Sequence, residues 1–169
     1  MEEQVDAGRT KYIGVSNFTS KQIAKLISNS RIKPANSQVE IHVYMQQKEH
    51  VDFCHENGVT VVAYAPVGSR GYAAFLKSRG LPERDIPDLF DNPVVKKIAS
   101  KYNKTPAQIL LKFLVQRGIS VIPKSVTESR IIENIELFDF NIDEADMDDL
   151  YALEIGTSAR ICDWGFTTG

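Results

Sequence analysis

The chain has 169 residues, of which 43% are hydrophobic and 25% charged, a composition typical of one soluble globular domain. Its formal net charge of −2 gives no overall reason to expect nucleic acid or an anionic membrane as a partner, so any anion site must be local. The cysteines match no metal or disulfide pattern, no apolar run spans a membrane, and the acidic amino terminus lacks a signal-peptide core. We therefore expect a cytoplasmic protein.

Short apolar runs alternate with amphipathic segments along the chain. Strands are predicted over 12–15, 37–42, 59–64 and 119–122. Helices are predicted over 1–8, 19–30, 47–57, 92–102, 105–117, 127–135 and 143–151. Thr19 with Gln22 and Thr105 with Gln108 form capping boxes, which mark two of the helix starts. Residues 70–90 show no clear periodicity and are predicted as a long loop, and 156–169 as an irregular tail.

The strand-then-helix order occurs four times, which predicts parallel strands covered by helices. Such a pattern fits either an open sheet or half of an eight-stranded barrel, and in both folds ligands bind at the carboxyl ends of the strands. Polar clusters follow those ends at Ser16–Asn17, His42, 64–69 and Lys124–Ser125. No Gly-x-Gly-x-x-Gly follows a strand, which disfavours a Rossmann-type dinucleotide fold. The convergence favours a ligand site.

The stretch 119–135 suggests what the ligand carries. Pro123 ends the strand, Lys124 lies in the loop, and Thr127 is predicted to cap the next helix. A helix amino terminus attracts anions through its free N–H groups and its dipole. Arg130 in the first turn is unfavourable for the dipole, so a bound anion would offset a local cost. On this chemistry alone, a phosphate site and a solvated loop with two surface cations are equal alternatives.

Two segments, Ile13-Gly14-Val15-Ser16-Asn17-Phe18 and Ile122-Pro123-Lys124-Ser125, resemble motifs of the aldo-keto reductases. Further matches extend the resemblance over almost the whole chain, at Pro34-Ala35, Gln38-Val39-Glu40, 63–69, Arg130 and Glu133-Asn134. The resemblance implies the C-terminal half of a TIM-type (β/α)8 barrel, an α/β fold of four parallel strands with covering helices. It also implies that 1–169 is a single partial domain, with the N-terminal half of the barrel absent, and that the cofactor is NADP(H).

The resemblance further implies cofactor-binding residues in four groups. Those for the nicotinamide are Ser16, Asn17, Gln38 and Tyr64, the last by stacking on the ring. Those for the pyrophosphate are Ala65, Val67 and Ser69. Those for the adenosine 2′-phosphate are Lys124, Ser125, Val126, Thr127 and Arg130. Those for the adenine are Glu133 and Asn134. The two cations at the phosphate imply a preference for NADPH over NADH.

The chain also departs from the family pattern. Ser37 stands where the family usually has Asn, Val43 where it has Pro, and Ala65 where Ser is common. The family reduces carbonyls with a Tyr proton donor aided by Lys, Asp and His, all in the first half of its barrel. We therefore assign no catalytic residue to this chain and expect it to be inactive alone.

Two functional hypotheses follow. The first is a portion of an NADPH-dependent reductase that converts aldehydes or ketones to alcohols by hydride transfer, with a small carbonyl substrate and no nucleic-acid or membrane partner. Its substrate choice would depend on 71–91 and the tail from Ser158. The alternative is a natural non-catalytic NADPH-binding or half-barrel interaction protein. Exposed sheet edges predict self-association. We assign no metal site, interpreting His50 and His55 as solvated helix residues and Cys54 as a core residue.

Overall fold

The computed structural model describes residues 1–81 and 86–162. Its strands are β1 (Gly14–Ser16), β2 (Asn36–Glu40), β3 (Thr60–Tyr64) and β4 (Ile119–Val121). Its helices are α1 (Glu2–Asp6), α2 (Ser20–Asn29), α3 (Lys48–Glu56), α4 (Gly71–Ser78), α5 (Pro93–Tyr102), α6 (Pro106–Gln116), α7 (Glu128–Ile135) and α8 (Glu144–Tyr151). Short 3₁₀ turns cover Leu89–Asp91 and Gly156–Ala159. None of these helices is long and apolar enough to cross a membrane.

The strands form one sheet in the order β1-β2-β3-β4. β1 and β2 pair in parallel, with Gly14 opposite Asn36 and Ser16 opposite Gln38. Every strand is followed by at least one helix. Parallel neighbours require such a connection, because the chain must return to the end of the sheet at which the previous strand began. The predicted α/β arrangement of four parallel strands with helices is confirmed.

The described residues divide into two compact units, one made of 1–39 and 47–62 and the other of 40–46 and 63–162. In the first unit, α2 packs on α3. Ile23 and Cys54 are completely buried there, as their helical spacing predicts. β1 approaches β2 so closely that a Cβ on Gly14 would lie 1.6 Å from Asn36 Oδ1, so only glycine fits at that position.

The first unit also contains a buried polar cluster centred on His50. Its Nδ1 lies 3.2 Å from Ser20 Oγ, and its Nε2 lies 3.2 Å from Ser37 Oγ and 3.6 Å from Cys54 Sγ. The interpretation of His50 as a solvated residue is therefore wrong, whereas His55 is exposed as expected. Burial lowers the pKa of His50 and raises the pKa of the Cys54 thiol, so both neutral forms are favoured.

In the second unit, α6 packs against α5 and β4. Thr105 and Gln108 form the predicted capping box at its start, and Pro106 occupies the first turn, where its missing N–H costs nothing. Residues 108–114 are all buried, including the predicted Ile109 and Phe113. α6 is thus hydrophobic on nearly every side and forms the centre of this unit's core.

Three predictions of local structure need correction. Residues 70–90 are not one loop, because α4 occupies 71–78. Leu76 is the only buried residue of α4, and its large apolar residues, Tyr72, Phe75 and Leu76, cover only about one helical turn, which gives periodicity little to detect. Thr127 does precede α7, but its side chain makes no capping hydrogen bond. The predicted irregular tail contains a 3₁₀ turn at 156–159, and its part from 163 onward lies outside the described residues.

Candidate functional site

A groove of about 700 Å³ lies in the second unit. It is bounded by the loop after β3, the start of α4, the start of α6, the loop after β4 and one side of α7. Its lining residues are 65–67, 69–72, Phe75, Phe90, 105–107, Ile122, 124–127, Arg130, Glu133 and Asn134. The groove therefore follows the carboxyl ends of β3 and β4, where parallel α/β folds bind ligands.

Two cations of the groove have no ion-pair partner among the described residues. Lys124 and Arg130 are both exposed, and neither forms an ion pair within the described ranges 1–81 and 86–162. Arg70 is different, because its Nη2 lies 2.6 Å from Asp88 Oδ2 and its guanidinium stacks 4.5 Å from the centre of the Phe90 ring. Lys124 and Arg130 are thus the groove's cations without an ion pair in those ranges, which suits an anionic ligand.

The start of α7 adds hydrogen-bond donors to these cations. Thr127 is the N-cap residue in extended conformation, and its hydroxyl is not used for capping. Ser125 Oγ accepts a hydrogen bond from the Thr127 N–H at 3.2 Å. The first N–H groups of a helix have no partner within it. The hydroxyl groups of Ser125 and Thr127 and the first N–H groups of α7 therefore lie in the same short segment as the two cations. Together they form a donor set that suits a phosphate group.

Contacts with α6 fix the opposite side of this site. The Thr105 hydroxyl donates to the Glu133 carboxylate. Gln108 Nε2 donates to the Glu133 carbonyl at 3.3 Å and to the Glu136 carbonyl at 3.1 Å. Glu133 and Asn134 line the groove with a carboxylate and an amide, and the contacts from Thr105 and Gln108 hold Glu133 in place. Such a pair can both accept from and donate to a nitrogen heterocycle.

The loop after β3 adopts an unusual backbone conformation where it lines the groove. Ala65 and Ser69 have positive φ angles of 52° and 44°, which side-chain-bearing residues seldom adopt. The Ala65 carbonyl accepts the Gly68 N–H at 2.9 Å, which closes a tight turn. Residues held in such conformations are frequent at binding sites, because a turn of this kind leaves backbone groups pointing away from regular structure.

Another polar group lies in the first unit at the carboxyl ends of β1 and β2. Ser16 is opposite Gln38 in the parallel register, and the Asn17 N–H donates to the Gln38 carbonyl at 3.0 Å. Asn17 has a φ of 57°, a left-handed conformation that asparagine tolerates better than most residues. The structure thus gathers one hydroxyl and two amide side chains at these strand ends.

The predicted site residues therefore fall into three places. Those that line the groove are Ala65, Val67, Ser69, Lys124, Ser125, Val126, Thr127, Arg130, Glu133 and Asn134. Those at the ends of β1 and β2 are Ser16, Asn17 and Gln38. Tyr64, the last residue of β3, is half-buried and is not among the groove residues. Their roles in cofactor binding stay predictions.

Several groove residues were not predicted from the sequence. Arg70, Tyr72 and Phe75 belong to the segment that was interpreted as a loop, and Thr105 was assigned only a capping role. The run Ala73-Ala74-Phe75-Leu76-Lys77 consists largely of good helix formers, and this propensity was the available signal for α4. No local signal indicates that Thr105 contacts Glu133, since these residues are 28 positions apart.

Comparisons with known proteins agree with this architecture. The model of the Aldo/keto reductase family matches residues 1–155. Over 147 residues, the chain is 44% identical to aldo-keto reductase family 1 member A1 of Gallus gallus, covering 87% of this chain and 43% of that protein. Over 156 residues it is 40% identical to the NAD(P)H-dependent D-xylose reductase of Candida tenuis, covering 92% and 48%.

A solved structure of an aldose reductase from Schistosoma japonicum superposes with a TM-score of 0.79 at 40% identity, covering 92% of this chain and 46% of that one. The expected fold class, one half of a TIM-type barrel, is thereby confirmed. The chain spans about half the length of the curated relatives that it matches. With a family match over most of its residues, the chain belongs to the aldo/keto reductase family.

Proposed function

We propose that this chain supplies the NADPH-binding part of a cytoplasmic aldo-keto reductase that reduces aldehydes or ketones to alcohols. The observation that carries the proposal is a pair of cations, Lys124 and Arg130, that have no ion pair within 1–81 and 86–162 and lie beside the start of α7, where no side chain caps the helix. NADPH differs from NADH by a 2′-phosphate on the adenosine, and this donor set matches that group. The xylose reductase of Candida tenuis, a relative at 40% identity, is named as NAD(P)H-dependent.

The groove residues divide the cofactor among them in this proposal. Lys124, Ser125, Val126, Thr127 and Arg130 would hold the 2′-phosphate, and Glu133 and Asn134 would contact the adenine. Ala65, Val67 and Ser69 would line the pyrophosphate, where the tight turn leaves backbone groups free to approach an anion. The chain's contribution is to bind and orient the cofactor and to distinguish NADPH from NADH.

The nicotinamide end is assigned to the remaining residues. Ser16, Asn17 and Gln38 would bind its carboxamide, which needs both donors and acceptors, and Tyr64 would stack on its ring. The bound cofactor supplies a hydride for the carbonyl carbon. We assign no proton donor for the carbonyl oxygen to this chain. We therefore propose that the chain alone binds NADPH without turning over a carbonyl substrate.

The test compares NADPH and NADH binding to the 169-residue chain by isothermal titration calorimetry. Lys124→Met and Arg130→Met should each raise the Kd for NADPH about tenfold or more, since a charge-assisted contact to phosphate is lost. The Kd for NADH should change less than about twofold, because NADH lacks that phosphate. Lys97→Met is the matched control, since Lys97 is an exposed cation outside the groove, and it should leave both affinities unchanged.

Three results would contradict the proposal. Equal losses of NADPH and NADH affinity in the groove variants would place the 2′-phosphate elsewhere. A wild-type chain that binds neither nucleotide would remove the cofactor assignment for this chain. Turnover of an aldehyde by the chain with NADPH, followed as loss of nicotinamide absorbance, would show that a proton donor is present and that our assignment of none is wrong.

A further inference from the structure

Glu40 is a completely buried carboxylate at the end of β2. Its Oε1 accepts the Ile161 N–H at 2.6 Å, and its Oε2 accepts the Cys162 N–H at 2.8 Å. His42 Nε2 lies 3.2 Å from Oε1, and His42 is also completely buried. A buried carboxylate is tolerated only when hydrogen bonds replace its lost hydration. Both oxygens of Glu40 obtain a backbone N–H from the same short segment, although it is more than a hundred residues away along the chain.

The segment that supplies these N–H groups has no helix or strand of its own. It follows the 3₁₀ turn that ends at Ala159, and residues 160–162 are neither helical nor in a strand. Ile161 and Cys162 are nevertheless buried, with 6% and 8% of their surface exposed. Regular secondary structure would satisfy backbone N–H groups by neighbouring carbonyls, whereas here a side-chain carboxylate takes that role.

The position of Ile161 matters for a second cavity. Its side chain lines a cavity of about 260 Å³ together with Leu76, Leu89 and Arg70. Val67 and Ser69 line this cavity and also the groove described above. Ile161 therefore forms a wall next to the loop that follows β3. If the segment moved away, the cavity would lose that wall.

We propose that Glu40 is a positioning residue that anchors the segment 161–162 to the end of β2 and so fixes Ile161 as a wall of this cavity. Releasing the segment would leave a buried carboxylate without two of its donors, so the carboxylate disfavours release more strongly than a neutral acceptor would. The inference does not depend on NADPH binding. Its failure and that of the proposed function can therefore be told apart.

The two cysteines of the chain provide the test, because Cys162 lies in the anchored segment and Cys54 lies in the first unit. The full chain is treated with N-ethylmaleimide, and the modification rate of each cysteine is followed by peptide mass analysis. A buried thiol reacts only when its region opens, so Cys162 reports release of the segment and Cys54 reports opening elsewhere. Glu40→Gln should accelerate Cys162 about tenfold or more and change Cys54 less than about twofold, because a charged acceptor is replaced by a weaker neutral one.

Glu144→Gln is the matched control, since it removes an exposed carboxylate from α8 and should leave both rates unchanged. A second pair of variants tests the anchor with Glu40 intact. Ile161→Pro removes the N–H that reaches Oε1, and the Arg160 backbone, with φ −60° and ψ 121°, is compatible with a following proline. Ile161→Ala keeps that N–H and controls for loss of the side chain.

We expect Ile161→Pro to accelerate Cys162 labelling severalfold beyond Ile161→Ala, with Cys54 unchanged. If Glu40→Gln does not fold, the comparison of Ile161→Pro with Ile161→Ala alone tests the proposal. Equal acceleration of Cys54 and Cys162 would show that the segment opens only with the whole chain, which overturns the proposal. An unchanged Cys162 rate in the Glu40 or Ile161→Pro variant would overturn it as well.

Discussion

Helices α6 and α7 both begin after a threonine, yet the two helix starts differ in almost every respect. Thr105 forms a complete capping box with Gln108, whereas the Thr127 side chain makes no capping bond. α6 has seven consecutive buried residues, whereas α7 has none and leaves 71% of Ile135 exposed. α6 is thus a core element, and α7 is a surface element whose start lines the groove.

The difference shows that amphipathic spacing alone does not decide whether a helix is buried. α7 carries isoleucines at helical spacing, but Ile131 and Ile132 each expose more than half of their surface. Its contacts with α6 include three hydrogen bonds. The Thr105 hydroxyl donates to the Glu133 side chain, and Gln108 donates to the carbonyls of Glu133 in α7 and of Glu136 at its C-cap. A helix held in this way can present its amino terminus to an anion, because no side-chain cap takes up its first N–H groups.

The largest expected effect is the difference in stability lost when an isoleucine of each helix is replaced by alanine. Ile109→Ala in α6 should lower the free energy of unfolding by about 2–5 kcal/mol, since it leaves a cavity at a fully buried site. Ile131→Ala in α7 should cost less than about 0.5 kcal/mol, because the side chain is 54% exposed. Urea unfolding at about neutral pH measures both. A cost for Ile131→Ala equal to that for Ile109→Ala would contradict the contrast and indicate that a second copy covers α7. That covering would appear as a concentration-dependent mass in gel filtration.

A smaller effect should separate the two threonines. Thr105→Ala removes the capping bond and the bond to Glu133, and we expect a loss of about 1 kcal/mol in stability. Thr127→Ala should cost only a few tenths of a kcal/mol, since no capping bond is lost. Thr105→Ser keeps the hydroxyl and should recover most of the loss. Comparable losses for the two alanine variants, measured in the same urea titrations, would mean that Thr127 caps α7 in solution.

The smallest effect concerns a third helix start, that of α8, which has the side-chain cap that α7 lacks. Asp143 caps α8, and Lys101 Nζ lies 2.6 Å from its Oδ2. The pKa of Asp143 falls from 3.8 to about 2, first because of the hydrogen bond from Lys101. The folded chain therefore binds fewer protons than the unfolded chain between these values. This contribution to stability is present above about pH 4 and is lost as the pH falls towards about 2.

Asp143→Asn should remove that contribution, while it keeps a side-chain oxygen that can cap α8 and leaves the ion pair between Lys101 and Asp146 intact. The difference in urea midpoint between the wild type and this variant should be small above about pH 4 and shrink towards zero near pH 2, because both groups of the pair are largely exposed. Asp91 and Asp139 also have lowered pKa values, but both remain in the variant and cancel in the difference. A difference that stays constant with pH would rule out the Lys101–Asp143 pair as its source. Lys124→Met, which removes a cation that has no ion pair with any described residue, should show no such pH dependence.

Local patterns predicted much of this fold correctly. The capping boxes at Thr19 and Thr105 lie within single turns of chain, so four residues contain all the information they need. The buried positions Ile109 and Phe113 were predictable because a central helix repeats its apolar residues regularly. α4 was missed because its large apolar residues, Tyr72, Phe75 and Leu76, cover only about one turn and are too few to establish such a repeat.

The candidate site likewise has features that local sequence predicts and contacts that it does not. The cations and hydroxyls around Lys124 and Arg130 are close together in sequence, so an anion site was already among the alternatives before the fold was known. The contact of Thr105 with Glu133, the pairing of Arg70 with Asp88 and the burial of Glu40 against Ile161 join residues that are distant in the chain. Hydrogen bonds of this kind depend on how the elements pack, and no spacing in the sequence encodes them.

The sequence by itself determined the order of the strands and of the described helices other than α4, and the chemistry available after each strand, because these depend on neighbouring residues and their periodicity. Its motifs indicated the family. Only the tertiary structure decided that α7 stays exposed, that His50 is buried and that Lys124 and Arg130 lack ion-pair partners in the described chain while Arg70 has one. Burial and ion pairing are properties of the space around a side chain. That space is filled by residues from other parts of the chain, and it exists only once the elements have packed.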